Sequence, residues 1–406
     1  MTNEDRPKVK SYRDRLGKPA SFCNNEIICG KKIIRLSRRA RFIIGHMDGK
    51  TSGDELRELV RVRFGLELSH AAFERMVRQF GKFKLLAGRN NSCLLSKVNF
   101  AYLEKFSLRQ RIRRPFYAGH CYPADPEELR NKLKWCFSFI NHSRLNFFYK
   151  NLKKLRGMIV PHSNIELSGP CAAWAYKILG KLPPPDLFII FAPDHSLKVK
   201  VPYTVLLKDF CTPLGTVKVD KNSGWELANK CGFDIFSYNA AHVIEHAIEM
   251  QLPFLQYIYK RQIRRIKILP VLCTKHKQGN SENFELWTEQ FMKAVRELIV
   301  LGKQRIVLIA TGDLNHTLGM TSKTQFHEKN KQIIALLKSG NAAKIKVTPY
   351  RACYRWPAYT LLKILSTGRG KVLNYSWSLN PKLIDNGGPE SQYLNLTNIG
   401  YVSIIY

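Results

Sequence analysis

Three short apolar runs in this chain each end within a few residues of a histidine or a carboxylate, and that repeated ending limits what the chain can fold into more than any other feature. The run GMIV is stopped by Pro161 and followed at once by His162; DLFIIFA is followed by Pro193, Asp194 and His195; RIVLIA leads to Asp313 and His316. An apolar run cut by proline or small polar residues reads as a buried strand ending in a loop. Open α/β sheets place their ligand crevice outside the carboxyl ends of such strands. One histidine in this position carries little weight, whereas three make a site the leading expectation.

The chain has 406 residues, 45% of them hydrophobic, enough to bury a sizeable core and to hold two domains. No apolar run approaches the roughly 18 residues a membrane span requires, and the polar start MTNEDRPKVKSYRDR does not read as a secretory signal. The expected location is therefore cytoplasmic. Its 10 cysteines contain no CxxC pair and are expected as thiols in a reducing compartment, with Cys171 and Cys273 as small buried apolar residues.

Charge is the least ordinary property. The formal net charge is +35, and residues 1–115 alone hold 27 Lys and Arg against 11 Asp and Glu. Such a surplus raises nucleic acid or an anionic surface as a partner. A solvated lysine-rich surface, or an organism whose proteins run basic, is the preferred reading over nucleic-acid contact, since neither a zinc finger nor an RNP motif is present.

Along the chain, the pair NEII and KKII around Cys29, Gly30 and Lys31 reads as a short β lead-in. Residues 37–87 then carry three helical patterns, punctuated by Asp48-Gly49, a cap at Thr51 or Ser52 and a cap at Ser69, and a wing strand at 83–86. This is the layout of a small winged-helix module. With a DG turn after the first helix, Asp48-Gly49, and an FG before the third, Phe64-Gly65, residues 1–87 resemble a PqqD-like domain, which implies a peptide- or partner-holding adaptor. A DNA-binding winged helix is the competing reading, with Arg75, Arg78, Lys82 and Lys84 near the third helix. Residues 88–112 read as a linker helix. The large domain, 113–406, opens with a strong helix start: a cap at Asp125, Pro126 at the first helical position, and Glu127 and Glu128 facing the positive end of the helix dipole. Strands are expected at 158–160, 187–191, 266–272, 306–310 and 401–406. Helices are expected at 170–179, 243–259, 283–300, 326–338 and 357–365. Alternation of this kind predicts an α/β fold with a parallel or mixed sheet.

Seven segments in order, AGHCYPADPEELR, VPHSNIELSGPCAAWAY, FAPDHS, EHAIEMQLPFLQYI, KILPVL, ATGDLNH and ACYRWPAYTLL, resemble the signature segments of the Memo family, called AmmeMemoRadiSam system protein B in microbes. The resemblance spans about 113–406 and implies a fold like that of class III extradiol ring-cleaving dioxygenases. It implies His162, His195 and Cys353 as metal ligands, with Asp313 and His316 beside the metal as acid/base groups or orienters. It also implies a radical SAM protein and an AMMECR1-like protein as partners. The donor types support a metal independently: imidazole suits iron, copper and zinc, and a thiolate favours soft or borderline metals over magnesium. Iron or copper is the first expectation and zinc the next. Glu245, His246 and Glu249, read as lying on one helix with an apolar stripe, are expected behind the ligands, though a helix-borne histidine satisfied by Glu249 or a backbone carbonyl is an equal reading for His246. The chain departs from the family's pattern with Ser163, Asn164 and Ile165 where relatives have AGY, and with Thr311-Gly312 where relatives have two serines.

The resulting expectation is a Memo-type metal protein, possessing redox or oxygen chemistry if it is an enzyme. Its rivals are a non-catalytic metal- or peptide-binding adaptor with a vestigial site, and a nucleic-acid-associated winged-helix protein. His120, His142, His242, His276 and His327 are read as surface or packing histidines, and the aromatic stretch 137–148 as core or interface.

Overall fold

A computed structural model of the chain describes residues 111–119, 121–150, 152, 154–275, 282–317, 323–348, 352–366, 368–378 and 398–406, the strands Glu26–Cys29 (β1) and Lys32–Arg35 (β2), and isolated positions between 57 and 77. Two compact units are present, Met1–Phe106 and Ser107–Tyr406. In the first, β1 and β2 pair antiparallel, with Cys29 opposite Lys32; Gly30 and Lys31, where a turn is expected, lie outside the described residues. Of the three-helix assignment, 71–73 and 75–77 are helical and the expected cap forms, Ser69 Oγ accepting from the Ala72 N–H at 3.3 Å. The wing strand, residues 88–110 of the linker helix, His120 and His276 lie outside the described residues, and the linker helix does not reach its expected end, because Ile112 opens β3.

The second unit is built on an 11-stranded mixed sheet. Its strands are β3 (Ile112–Arg113), β4 (Gly157–Val160), β5 (Leu187–Pro193), β6 (Tyr203–Val205), β7 (Asp209–Thr212), β8 (Gly215–Val219), β9 (Lys267–Cys273), β10 (Ile306–Thr311), β11 (His316–Thr317), β12 (Lys371–Trp377) and β13 (Asn398–Ile405). The main path runs β11-β13-β4-β10-β5-β9-β8-β7-β3, with β12 on β13 and β6 on β9. At its centre β4, β10, β5 and β9 are parallel, and Thr311 lies opposite Val160 while Ala310 lies opposite Phe191. All three loops marked by the histidine-bearing endings therefore leave the sheet at one edge.

Burial explains why these runs are strands. Every residue of β5 is buried, as expected where helices cover both faces of a parallel sheet. Leu187, Ile189 and Phe191 join one core cluster with residues of two helices, Phe284–Leu301 and Arg355–Leu365, while Phe188 faces Tyr259 on the opposite side. Each such side chain contributes roughly 1.5–3 kcal/mol on burial. Pro270 stands in mid-strand in β9, a place proline normally avoids. On one flank β8 pairs with Lys267 and Ile268 and β6 with Val271 to Cys273, so Pro270 falls at the junction where β9 has no ladder partner on that flank.

The helices of this unit are α1 (Pro126–Ser138), α2 (His142–Lys150), α3 (Ile165–Leu179), α4 (Lys221–Ala228), α5 (Asn239–Ile244), α6 (Leu252–Tyr259), α7 (Phe284–Leu301), α8 (Lys323–Ser339), α9 (Ala342–Lys346) and α10 (Arg355–Leu365). Asp125 caps α1, its Oδ1 accepting from the backbone N–H of Glu127 and Glu128 at 2.9 Å. Two expectations need correction. Helix α3 begins at Ile165, not at Pro170, which lies inside it. Gly169 and Pro170 there mark a crowded face, since a Cβ on Gly169 would meet Cys136 Sγ at 2.6 Å. More consequentially, the expected helix over 243–259 is not continuous. Helix α5 ends at Ile244, Glu245 is extended at φ −85° and ψ 128°, and the chain passes through a 3₁₀ turn at Glu249–Gln251 before α6.

Arg113 explains the break. Its Nε donates to the carbonyl of His242, and its Nη2 to those of Val243 and Glu245, so it satisfies the C-terminal carbonyls that a continuing helix would have used. The guanidinium also pairs with the buried Glu249 carboxylate. That carboxylate in turn accepts from the N–H of Phe116 and Tyr117. His242 is buried, with Nε2 3.1 Å from the carbonyl oxygen of Thr204, and burial drops it to about 3. His327 packs on Trp377 and His142 is exposed, as read from sequence. Phe137 stacks on Tyr257 at 5.2 Å, whereas Phe147 is exposed. Among the described residues no helix is long and apolar enough to cross a membrane.

Candidate metal centre

The loops after β4, β5 and β10 and the turn preceding α10 converge on one point. Cys353 Sγ lies 3.2 Å from His162 Nε2 and 3.8 Å from His316 Nε2, and it accepts from the Asp313 N–H at 3.1 Å. One donor atom each from His162, His195 and Cys353 lie within 4.8 Å of one another. Asp313, His316 and Cys353 form a second such group, and His195, Glu245 and His246 a third. His162 is buried and the His195 side chain is 37% exposed, so the crevice opens on the His195 side.

Each ring is oriented from behind. Glu245 accepts from His195 Nδ1 at 2.9 Å, from the His195 backbone N–H at 3.0 Å and from the Ala247 N–H at 2.9 Å, and its Oε1 lies 3.1 Å from His246 Nδ1. The break after α5 is what delivers this carboxylate to two imidazoles. For His162, Nδ1 is 3.1 Å from Thr311 Oγ1, which also accepts from Gln251 Nε2 at 2.9 Å. Gln251 is held by the Tyr176 hydroxyl, which donates to its Oε1. Asp313 Oδ1 accepts from the His162 N–H at 3.0 Å and Oδ2 from the Ser163 hydroxyl, so this carboxylate fixes the loop that differs from the family's pattern. The loop 312–316 is tied by Leu314 N–H to the Gly400 carbonyl at 2.8 Å and by Asn315 N–H to Asn330 Oδ1 at 3.2 Å. His246 stands 5.0 Å from His162 and 4.8 Å from His195, centre to centre.

Electrostatics follow from this crowding. Burial alone would drive the Cys353 thiol up, but the His162 imidazole, aided by His195 and His316, outweighs it and holds the thiol well below its ordinary range. Burial likewise disfavours the His162 cation, yet the Cys353 thiolate and Asp313 raise this histidine. For His195 the Glu245 carboxylate overcomes burial and lifts it well above normal, and Glu245 itself is held well below normal by His195 and His246 against its own burial. Burial wins at His246, which is lowered despite Glu245. His316 is raised by Cys353 in spite of burial.

This donor set fits a metal ion. Nitrogen and sulfur donors bind at about 2.0–2.3 Å, which places neighbouring donors about 3.4–3.7 Å apart around a tetrahedral ion. Holding Nδ1 of both ligand-type histidines on Glu245 and Thr311 leaves each Nε2 lone pair for the crevice, the arrangement metal-ligating histidines use. Of the residues expected from sequence, His162, His195, Cys353, Asp313, His316, Glu245 and His246 meet here. Glu249 does not; its carboxylate is taken up by Arg113 and the backbone of Phe116 and Tyr117. Sequence reasoning missed Gln251 and Arg113. Thr311 was visible only as a departure from the family's serine.

Fold and site together define a mixed-sheet α/β protein that gathers two imidazoles and a thiolate past the carboxyl ends of its parallel strands. The chain belongs to the Memo family: the model of the Memo-like protein matches residues 113–386. A MEMO1 family protein of Methanopyrus kandleri is 30% identical over 302 residues, covering 72% of this chain and 98% of the relative. One of Methanosarcina barkeri is 29% identical over 302 residues, with 72% and 99% covered. Another of Sulfolobus acidocaldarius is 34% identical over 209 residues, with 50% and 70% covered. Residues 1–112 lie outside the family match.

Proposed function

We propose that the chain is a metal protein whose His162, His195 and Cys353 hold one ion, iron or copper before zinc, for redox or oxygen chemistry. The observation that carries this reading is the approach of Cys353 Sγ to His162 Nε2 at 3.2 Å, with His195 in the same cluster and the far nitrogens of both rings engaged elsewhere. A bound ion of this kind would supply a Lewis acid and, for iron or copper, a one-electron couple. The remaining work falls to the chain. His316, raised by Cys353, is a proton donor at the wall of the crevice. Asp313 shapes the wall by holding the His162 loop through both oxygens. Glu245 and His246 set the His195 ring from behind, while Glu249 supports the same segment through Arg113. The thiolate requires a reducing compartment, in keeping with a cytoplasmic location.

The resemblance of residues 1–87 to PqqD-like domains supports a further part of the reading, in which this segment holds a peptide for a radical SAM protein acting with an AMMECR1-like protein. Element-resolved metal content after anaerobic purification tests the centre. The expected result is about one ion per chain in the wild type and almost none in Cys353→Ala. Equal content in both sinks the reading. Replacement of His316 by alanine with metal retained and turnover abolished marks an enzyme; unchanged function marks the non-catalytic adaptor.

A further inference from the structure

The edge of the sheet opposite the crevice carries a different chemistry. Strands β5, β9 and β10 start there, at Leu187, Lys267 and Ile306, and their neighbourhood is knitted by the backbone N–H of Lys267 to the Asp186 carbonyl at 3.0 Å and of Arg305 to Asp186 Oδ2 at 2.7 Å. Lys267 Nζ and Gln304 Nε2 both donate to Asp220, at 3.2 and 3.0 Å. These contacts bring the 3₁₀ turn Lys260–Arg264, with Arg265, beside the segment that leaves α7. Lys260, Arg261, Arg264, Arg265, Lys303 and Arg305 are all exposed. Of the six, Arg305 pairs with a carboxylate, Asp186; among the described residues the other five pair with none. On the same edge, at the end of α7 and just before Lys303 and Arg305 in the chain, stand Val300 and Leu301, 78% and 76% exposed.

Helix C-termini attract cations, and several helices of an α/β layer end at this edge. That accounts for about one favourable cation per helix end. It does not account for four cations within the six residues 260–265, nor for two adjacent bare aliphatic side chains, which gain nothing from a dipole. Exposed aliphatic side chains that share a sheet edge with unpaired lysine and arginine match the interfacial layer of an anionic bilayer, where phosphate and carboxylate headgroups meet hydrocarbon. A nucleic-acid backbone would use the cations and leave the aliphatics in water.

We infer that this edge docks on a membrane surface bearing anionic phospholipids, peripherally and without insertion of a helix. Leu301 and Val300 enter the headgroup layer and the five unpaired cations face the lipid phosphates. Strands β5, β9 and β10 are six or seven residues long, so about 20 Å of sheet separates the docked edge from the crevice, which stays open to solvent.

The test is cosedimentation of the full chain with phosphatidylcholine vesicles, with and without phosphatidylserine, at low and high salt. Residues 1–106 carry 23 Lys and Arg against 11 Asp and Glu and add binding of their own, so the decisive quantity is the difference between wild type and rim variants. Wild type is expected on the phosphatidylserine vesicles, less so at high salt. The double variant Arg264→Glu with Arg265→Glu is expected about tenfold weaker. Leu301→Asp is expected to remove the salt-resistant part. Lys260→Glu with Arg261→Glu provides a second charge reversal should the first pair misfold, folding being checked by thermal unfolding. Charge reversals that sediment like wild type overturn the inference, as does equal binding to phosphatidylcholine alone. Loss of binding to a short RNA duplex, with vesicle binding kept, overturns it in favour of nucleic acid.

Discussion

Cys353 Sγ and His162 Nε2 stand 3.2 Å apart although 191 residues separate them in the chain. Each shifts the other: the imidazole holds the thiol low, and the thiolate raises the imidazole. In the metal-free chain this thiolate–imidazolium pair contributes stability over a window bounded by the two folded-state values. As pH falls through the lowered value of Cys353 the thiolate is protonated and the contribution is lost. As pH rises through the raised value of His162 the cation disappears and it is lost again.

Alkylation separates Cys353 from the other thiols. In metal-free protein, iodoacetamide is expected to label Cys353 with a midpoint well below the ordinary thiol range. Cys121, Cys171 and Cys231, pushed up to about 12 by burial, stay unlabelled at neutral pH. Mass spectrometry of peptides across a pH series checks this, and protection of Cys353 by added metal is the second expected outcome. Labelling of Cys353 with an ordinary thiol midpoint contradicts the pairing.

Glu245→Gln keeps the shape of the buried side chain but removes the charge that orients His195 and His246. Metal affinity is expected to fall about 10- to 100-fold, as for other groups hydrogen-bonded behind metal ligands. Titration of the apo protein with Zn²⁺ measures it. Stability should drop by roughly 1–3 kcal/mol, since an acceptor of four N–H groups is partly replaced by a donor. Unchanged affinity would show that His195 needs no support from this residue.

Arg113→Met is the severe case. It leaves Glu249 buried and unpaired and uncaps three carbonyls, and removal of one partner of a buried pair costs about 3–5 kcal/mol. Urea unfolding checks the magnitude. Adding Glu249→Gln should return part of the loss.

Gly312→Ala tests the seam between the β10 loop and the cysteine turn. A Cβ at this position would lie 2.1 Å from Tyr354 Cα, a backbone atom that cannot rotate away. Separation of the two segments is expected to cost about 1–3 kcal/mol and to reduce metal retention together with it. Wild-type retention in the alanine variant would mean the turn has slack.

Much of this was legible in the chain because strand runs are local signals. The endings after β4, β5 and β10 gave His162, His195, Asp313 and His316 their common edge, and the cap at Asp125 read directly as Asp, Pro, Glu, Glu. Cys353 was not local. It became visible through the order of family segments, since a lone cysteine before a helix carries no signal. The stretch 243–259 misled for a physical reason: its apolar spacing is helical, and only Arg113, some 130 residues upstream, makes stopping at Ile244 favourable. Glu249 was misassigned with it, because a continuous helix would have put it one turn from Glu245. Gln251 was invisible in the same way, as its partners Thr311 and Tyr176 lie on other elements.

Interruption of the helix at Glu245 makes one backbone torsion answerable to two masters. The same extended residue closes off α5 for folding and hands a carboxylate to the imidazoles for chemistry. Substitutions that repaired the helical run would therefore make the isolated segment a better helix while unseating His195, so selection for sturdiness and selection for the centre pull this short stretch in opposite directions.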